Sequence, residues 1–566
     1  MIHRTGKRVS YGVFTLFFLQ AQVLRTAAWG RAWGTYFGGG LDEVGRAVCV
    51  DTIHRRVYVV GWTVSPDLPL RNPYQGAYNG GEADAFIACF SEEGQLFWST
   101  YLGGDSLDVA YGCACDGARV YVVGATRSRG GIAGGDGFQL AYGGGESDGF
   151  VACIDTAGQL VWCSYYGGEG KDELRAVQVG VRGDLWVGGS TSSLQGVQYG
   201  MGGQPNYGGG DSDGWIMRLT PLGTPRWGRY IGGSGEDRIS TLAVDSVRLY
   251  VGGYTASTDF PVSPNAVQSM YGGGLWDGFI AALDTSGAVE WASYMGGPDR
   301  DWVYGIARGE GDRIYLTGST GSTSGITTPG SLQPFYSGGS CDGYLAAWDT
   351  AGRRLWSTYV GGDTNDWGYK CKVGEDRNIY LVGWTRSRTQ IATVDAYQSQ
   401  HGGGTYDAFI MVFTRDGQRV WGSYYGGEGV DWFLDVALGR DKEFYAVGYT
   451  GSFWGIASSG AYQDRLGGSI VLNYDAFLVK FGVGTAAGFE TYQKPRWRVF
   501  PNPSFGKVWI EGTRGTFELW NAQGCCLRRF VVRSPAGEGH ELPPETGVYF
   551  LHHVESGSSC RVVRMP

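Results

Sequence analysis

At 566 residues the chain is too long for one ordinary domain, although propellers and barrels run past that size as single units. Glycine is very abundant (99 residues) while aromatics reach 14%, which excludes a disordered linker protein and fits many short strands joined by tight turns. A formal charge of −9 and the lack of a long basic run argue against nucleic acid as a partner.

The first residues read as an export signal. Arg4, Lys7 and Arg8 form a positive region, residues 11–19 are apolar, and Ala21 offers a cleavage point before Gln22. The apolar run is too short to span a bilayer, and no later segment is long enough. An N-terminal strand or a membrane anchor is the competing reading of the same stretch.

A motif close to W-x-x-Y-x-G-G then begins at Trp33, Trp98, Trp162, Trp227, Trp291, Trp356 and Trp421, at spacings of 64 or 65 residues. In the unit that starts at Trp227, WGRYIGG, ISTLAVD, RLYVGGYT and FIAALDT read as four antiparallel strands, because apolar residues alternate between Gly- and Asp-rich turns. Four strands at a fixed period are the signature of propeller blades. The Trp strands and the other three types are offset by one unit, so Trp33 to Phe37 is expected to close the ring against the strand at Phe477. The expected fold is all-β: a seven-bladed β-propeller of four-stranded blades plus a small C-terminal β-sandwich.

The unit from Trp227 to Pro261 resembles the SBBP bacterial β-propeller repeat in its Y-x-G-G, G-x-T and D-F-P landmarks. The resemblance covers residues 31–483. The D-F-P ending is complete only at Asp259-Phe260-Pro261, with a relaxed form at Asp67-Leu68-Pro69. It implies a propeller on a surface or secreted bacterial protein, and no particular ligand.

An acidic residue recurs after each Gly-Gly turn, at Glu43, Asp108, Asp172, Asp237, Asp301, Asp366 and Asp431. A second recurs at Asp84, Asp148, Asp213, Asp277, Asp342, Asp407 and Asp475. Such carboxylates suit calcium, but a group present in every blade is better read as a structural turn former, so no cofactor is expected. Residues Asp284 to Trp291 resemble the Asp-box of sialidases and the tryptophan-docking motif of quinoprotein dehydrogenases, both mainly structural in those families. Only His54 and His401 lie in the propeller, and neither sits in a zinc-protease or nucleophile-elbow motif. No catalytic or metal residue is nominated.

Departures from the repeat carry more information. Trp302, Trp367 and Trp432 follow the acidic turn residue in the last three units, where earlier units have Val44, Val109, Glu173 and Arg238. Three rings at one level near a face can stack on sugars or contact a protein. The alternative is that they fill space between blades.

Eleven cysteines leave at least one unpaired, and Cys89, Cys113, Cys115, Cys153, Cys163 and Cys371 fall in apolar strand patterns. After a linker at 484–497, residues 498–566 read as short strands, in which Cys525, Cys526 and Cys560 have the makings of one disulfide. This segment resembles the C-terminal sorting domain of type IX secretion cargo. The matching residues are Pro501-Asn502-Pro503, Gly547-Val548-Tyr549-Phe550 and the tail at Arg561 to Arg564, where the family often has Lys. An ordinary small β-domain is the competing reading. With residues 1–21 as signal, the resemblance implies export to the outer surface or medium of a Gram-negative bacterium, with the outer-membrane secretion machinery as partner. The expected role is a binding or adhesion module for a glycan, an extracellular polymer or a protein. A secreted polysaccharide-active enzyme and a structural surface-layer component are the alternatives.

Overall fold

Each acidic residue after a Gly-Gly turn starts a strand whose apolar residues alternate, and each such strand is the inner edge of an antiparallel sheet of four blade strands, to which blade II adds a two-residue strand at Gly134–Gly135. The computed structural model describes residues 28–200, 203–468 and 473–484. In the C-terminal segment it describes 498–500, 507–511, 515–521, 526–533, 538–545, 547–553 and 558–564. The inner strands of blades I to VII are Glu43–Asp51, Asp108–Cys115, Asp172–Val179, Asp237–Val244, Asp301–Arg308, Asp366–Val373 and Asp431–Leu438. Each packs against the next and the seventh packs against the first, so the sheets close into a seven-bladed propeller around a central channel.

Closure follows the expected pairing. Ala28–Phe37 is the outermost strand of blade VII and runs antiparallel to Asp475–Gly484, with Trp33 opposite Lys480 and Tyr36 opposite Phe477. The sequence repeat therefore straddles two blades, since every Trp strand is the outer strand of the blade before. In blade I the chain continues from the inner strand through Arg56–Thr63, Asp84–Ser91 and Leu96–Leu102. Antiparallel order places the roughly twenty-residue loops and the Gly-Gly turns on one face of the disc, and the short hairpins on the other.

The hairpins lock neighbouring blades. The indole N–H of Trp33 donates to the Glu92 carbonyl of the next blade at 2.8 Å, and Trp98, Trp227 and Trp291 make the same bond to Thr156, Thr285 and Thr350 at 3.0 Å. The turn glycine after that carbonyl lies flat on the ring. At Gly158 φ is +87° and an added Cβ would come within 2.6 Å of Trp98, so only glycine suits the position. The Asp284 carboxylate organises such a turn, accepting the N–H groups of Ser286 and Ala288 at 2.8 and 3.0 Å.

On the loop face the recurrent carboxylates are all buried. Asp108, Asp237, Asp301 and Asp366 each accept the second Gly-Gly N–H at 2.7–2.8 Å and a serine hydroxyl from the same blade at 2.7–2.8 Å. Threonine hydroxyls complete the shell at Glu43, Asp172, Asp366 and Asp431. The second set accepts a loop N–H through one oxygen, at 2.5–2.9 Å from Asn79, Gly143, Gly208, Gly272, Ser337, Gly402 and Gly467. Its other oxygens are buried without a hydrogen-bond partner among the described residues.

The C-terminal segment forms a three-stranded sheet (Arg498–Phe500, Lys507–Glu511, Glu538–Glu541) and a four-stranded sheet (Gly515–Asn521, Cys526–Val532, Gly547–His553, Ser558–Arg564). Val508, Ile510, Phe517, Leu519, Val532, Tyr549 and Leu551 form its core, and the Tyr549 hydroxyl donates to the Glu545 carbonyl at 2.9 Å. Gly547 opens a strand there. Ala21, Gln22, Pro501, Asn502 and Pro503 lie outside the described residues, as do Cys525 and the side chain of Cys560; Cys526 carries a free thiol. Among the described residues no helix is long and apolar enough to cross a membrane.

Candidate functional site

Because the inner strands start on the loop face, the second residue of each lies at the channel mouth there. The three tryptophans predicted to share a level occupy this position in blades V, VI and VII, and all are half-buried. Trp384, from the second strand of blade VI, lies between Trp367 and Trp432. Its ring centroid is 5.1 Å from the first and 4.2 Å from the second, with interplanar angles of 17° and 4°. Tyr406 stands edge-on to Trp367 and Trp432 at 5.9 and 5.8 Å. Tyr449 and Tyr474 extend the series beyond Trp432 at steps of 5.1 and 5.2 Å.

In the other direction Tyr369 lies 5.3 Å from Trp384 and stacks on Tyr304 at 5.1 Å. Trp302 follows at 6.2 Å, then Trp276 at 5.6 Å and Tyr254 at 5.8 Å. The result is an unbroken crescent of rings over blades IV to VII. Trp302, Trp367 and Trp432 thus pack against other rings and are also open to solvent, so both predicted roles are physically available to them. The indole N–H groups of Trp384 and Trp432 are buried without partners among the described residues, which leaves two donors aimed at no protein acceptor.

The rest of the mouth is charged. Glu173 takes Arg175 at 2.6 Å, Lys171 at 3.4 Å and Arg238 at 3.8 Å. Burial opposes its ionisation, but Arg175 and Arg238 outweigh that and hold its carboxyl below the usual range. Glu236 joins the two halves, ion-paired with Arg238 at 3.0 Å and accepting the Trp276 indole N–H at 3.1 Å.

Tyr254, Trp276, Tyr304, Tyr369, Trp384, Tyr406, Tyr449 and Tyr474 are crescent residues that the single repeat position of Trp302, Trp367 and Trp432 does not reveal. A signal for them exists. The position of Trp384 reads Trp62, Ala125, Ser190, Tyr254, Ser319 and Tyr449 in the other units, and that of Tyr406 reads Ala83, Ser147, Ser212, Trp276, Cys341 and Tyr474. Aromatics cluster in consecutive repeats at several offsets, which a single-column comparison does not show.

The recurrent carboxylates stay in the blade junctions. Among the described residues no group of three or more His, Cys, Asp or Glu is placed to hold a metal. His54 Nδ1 meets Asp51 at 2.7 Å on the hairpin face, and His401 is buried in a loop turn 3.3 Å from Asp407. Neither is joined to a nucleophile.

The fold and mouth define a seven-bladed propeller with one strongly asymmetric face. No family model matches the chain. It is 26% identical over 384 residues to the regulatory protein FlaEY of Caulobacter vibrioides, an alignment covering 60% of this chain. That alignment takes in 37% of FlaEY, so the chain spans well under half of its relative. Among solved structures, a fungal alcohol oxidase of the AA5 family in complex with copper aligns over 96% of this chain and all of its own, at TM-score 0.38 and 10% identity. Sqt1 from Chaetomium thermophilum aligns over 81% of this chain and all of its own, at TM-score 0.37 and 10% identity.

Proposed function

We propose that the protein is a non-catalytic binding module that holds a glycan or sugar-bearing extracellular polymer on the aromatic crescent. The observation that carries this reading is the continuous series of rings from Tyr254 to Tyr474 on one face of the disc, half-exposed apart from the buried Trp384. Sugar rings present flat C–H surfaces that pack on such rings. Repetition explains the blade-junction carboxylates but not this crescent, because blades II and III lack rings at the Trp367, Trp384 and Tyr406 positions, while Trp62 of blade I packs against the cluster. The regulatory title of FlaEY belongs to that protein and names no ligand for this one.

The test is a glycan and matrix-polymer array with the purified full chain, with hydrolysis products assayed in parallel. Trp367→Ala with Trp432→Ala is expected to lower affinity for the selected glycan at least ~30-fold, the loss typical of central aromatic anchors. Saturable binding without product release supports the module; product release or undiminished binding by the folded double variant overturns it.

Export is part of the same reading, supported by the residues of the N-terminal stretch and by the Pro501-Asn502-Pro503 and Gly547-to-Phe550 resemblances. The protein is delivered to the outer surface or medium of a Gram-negative bacterium, with the C-terminal domain addressed by the outer-membrane machinery. A fluorescent reporter carrying residues 1–21 and 498–566 is expected to leave cells that possess type IX secretion and to stay in the periplasm without residues 498–566. Equal release of both forms removes the sorting role.

A further inference from the structure

Below the crescent the inner strands enclose a cavity of about 310 Å³, to which all seven blades contribute. Every inner strand carries a bulge at its fourth residue, and in blades I to III that residue is Arg46, Tyr111 and Arg175, all lining the cavity. The Arg46 and Arg175 guanidiniums lie 5.7 and 4.5 Å from the Tyr111 ring centroid, gathering two cations on one side. From blade VI, Lys370 and Lys372 line the opposite wall.

The one carboxylate among the cavity's lining residues is Asp435. Its oxygens are already engaged, by the Val48 N–H at 3.0 Å and the Val436 N–H at 2.9 Å. With Arg175 already paired to Glu173, the three cations Arg46, Lys370 and Lys372 face a single lining acid inside a protein whose formal charge is −9. Arg46 Nε is buried without a partner among the described residues. Lys370 spends two N–H groups on the carbonyls of Tyr304 and Ser240, at 2.7 and 3.3 Å, and has a third left. Burial pushes the Lys370 ammonium down to about 8, against the opposing pull of the Asp435 carboxylate. A narrow channel with low-dielectric walls concentrates the field of such charges on a small anion.

We infer that the channel binds a carboxylate through Arg46, Lys370 and Lys372, and that the saccharide held by the crescent is an acidic one that inserts its carboxylate there. The carrier rests on the saccharide reading above; the carboxylate site does not. Tyr369 connects the two regions, stacked in the crescent on one side and 6.0 Å from Lys370 Nζ on the other. A uronate ring lying on Tyr304 and Tyr369 brings its acid group to the lysines.

Calorimetry on the full chain separates the two parts. Citrate serves as the free-carboxylate probe, and trigalacturonate with its methyl ester as the saccharide pair. Citrate is expected to bind, to weaken at least ~10-fold in Arg46→Gln/Lys372→Gln, and to weaken with added salt. Trigalacturonate is expected to bind at least ~10-fold tighter than the ester, a gap that closes in the same variant. Trp367→Ala is expected to weaken acid and ester alike. If citrate does not bind, or binds the folded double variant as well as the native protein, the channel site is refuted. Citrate binding with neither saccharide bound keeps the channel site and refutes the acidic saccharide as its carrier. Arg46→Lys, which keeps the charge, is expected to retain citrate binding; its loss there with a native melt would refute the electrostatic basis.

Discussion

Removing residues 28–37 is expected to abolish the soluble monomer or to lower its melting temperature by more than ~15 °C. The strand is a full ladder partner of Asp475–Gly484, so its loss leaves the hydrogen-bonding edge of blade VII open. Tyr36 and Phe37, both fully buried, leave with it. Tyr36 packs in the core of blades VI and VII with Trp421, Tyr425, Phe433 and Phe477, while Phe37 meets Phe86 and Phe90 of blade I at 5.4 and 5.7 Å. Removing two buried aromatics costs on the order of 3–5 kcal/mol each before the lost ladder is counted. Arg31 and Gly34 also tie the strand to the carbonyl of Ile456 and the hydroxyl of Ser458. Because one strand bonds the two chain ends, a synthetic peptide of residues 28–37 added in trans is expected to restore part of the lost stability. Size-exclusion chromatography and thermal melts read both effects, and a truncated chain that melts within ~3 °C of the native one would show that the ring closes without this strand.

Why the ring was legible in the sequence, and the site only partly so, follows from what each depends on. A blade edge is fixed by local chemistry: a Gly-Gly turn, an acid to cap it and hydroxyls two residues apart to complete the shell. These recur within a residue of a fixed period, and the one-unit offset of the Trp strands determines the closure. The site is a property of the ring. Trp367 and Trp432 are equivalent residues of neighbouring units, but the ring between them, Trp384, comes from another strand and a different repeat position. The channel cations were hidden more deeply. Alternation places Arg46 and Arg175 on a sheet face, whereas the bulge at the fourth inner-strand residue redirects them into the cavity, and no turn residue announces a bulge.

The propeller is expected to melt higher at pH 5 than at pH 8, by on the order of 5 °C, the reverse of what most carboxylate-rich proteins do. The cause is the sevenfold pairing of acids at the blade junctions. The first glycine of each Gly-Gly turn fits between two carboxyl groups, one from each blade. At Gly103 a Cβ would meet Asp84 at 2.6 Å and Asp108 at 2.9 Å, and at Gly296 it would meet Asp277 and Asp301 at the same distances. Burial, and then the facing acid, pushes Asp84, Asp148, Asp213 and Asp277 up to about 7 and Asp342 up to about 8. Burial likewise raises Asp108, Asp237, Asp301 and Asp366 to about 6, and Glu43 to about 7. The folded chain therefore holds protons that the unfolded chain releases near pH 4, and this contribution is fully present below pH 4 and lost as pH rises through 6–8. Salt-bridged and turn-capping acids such as Glu173, Asp284 and Asp349, held low by their partners, act in the opposite sense below pH 4, so the gain is sought between pH 5 and 8. Replacing the proton permanently is the sharper test. Asp277→Asn and Asp342→Asn keep an acceptor for the N–H groups of Gly272 and Ser337 while removing a charge. Each is expected to raise the melting temperature at pH 8 and to flatten its slope against pH. A melting temperature that falls on acidification from pH 8 to 5, in the native chain and both variants alike, would mean that the paired acids stay ionised and that something else neutralises them.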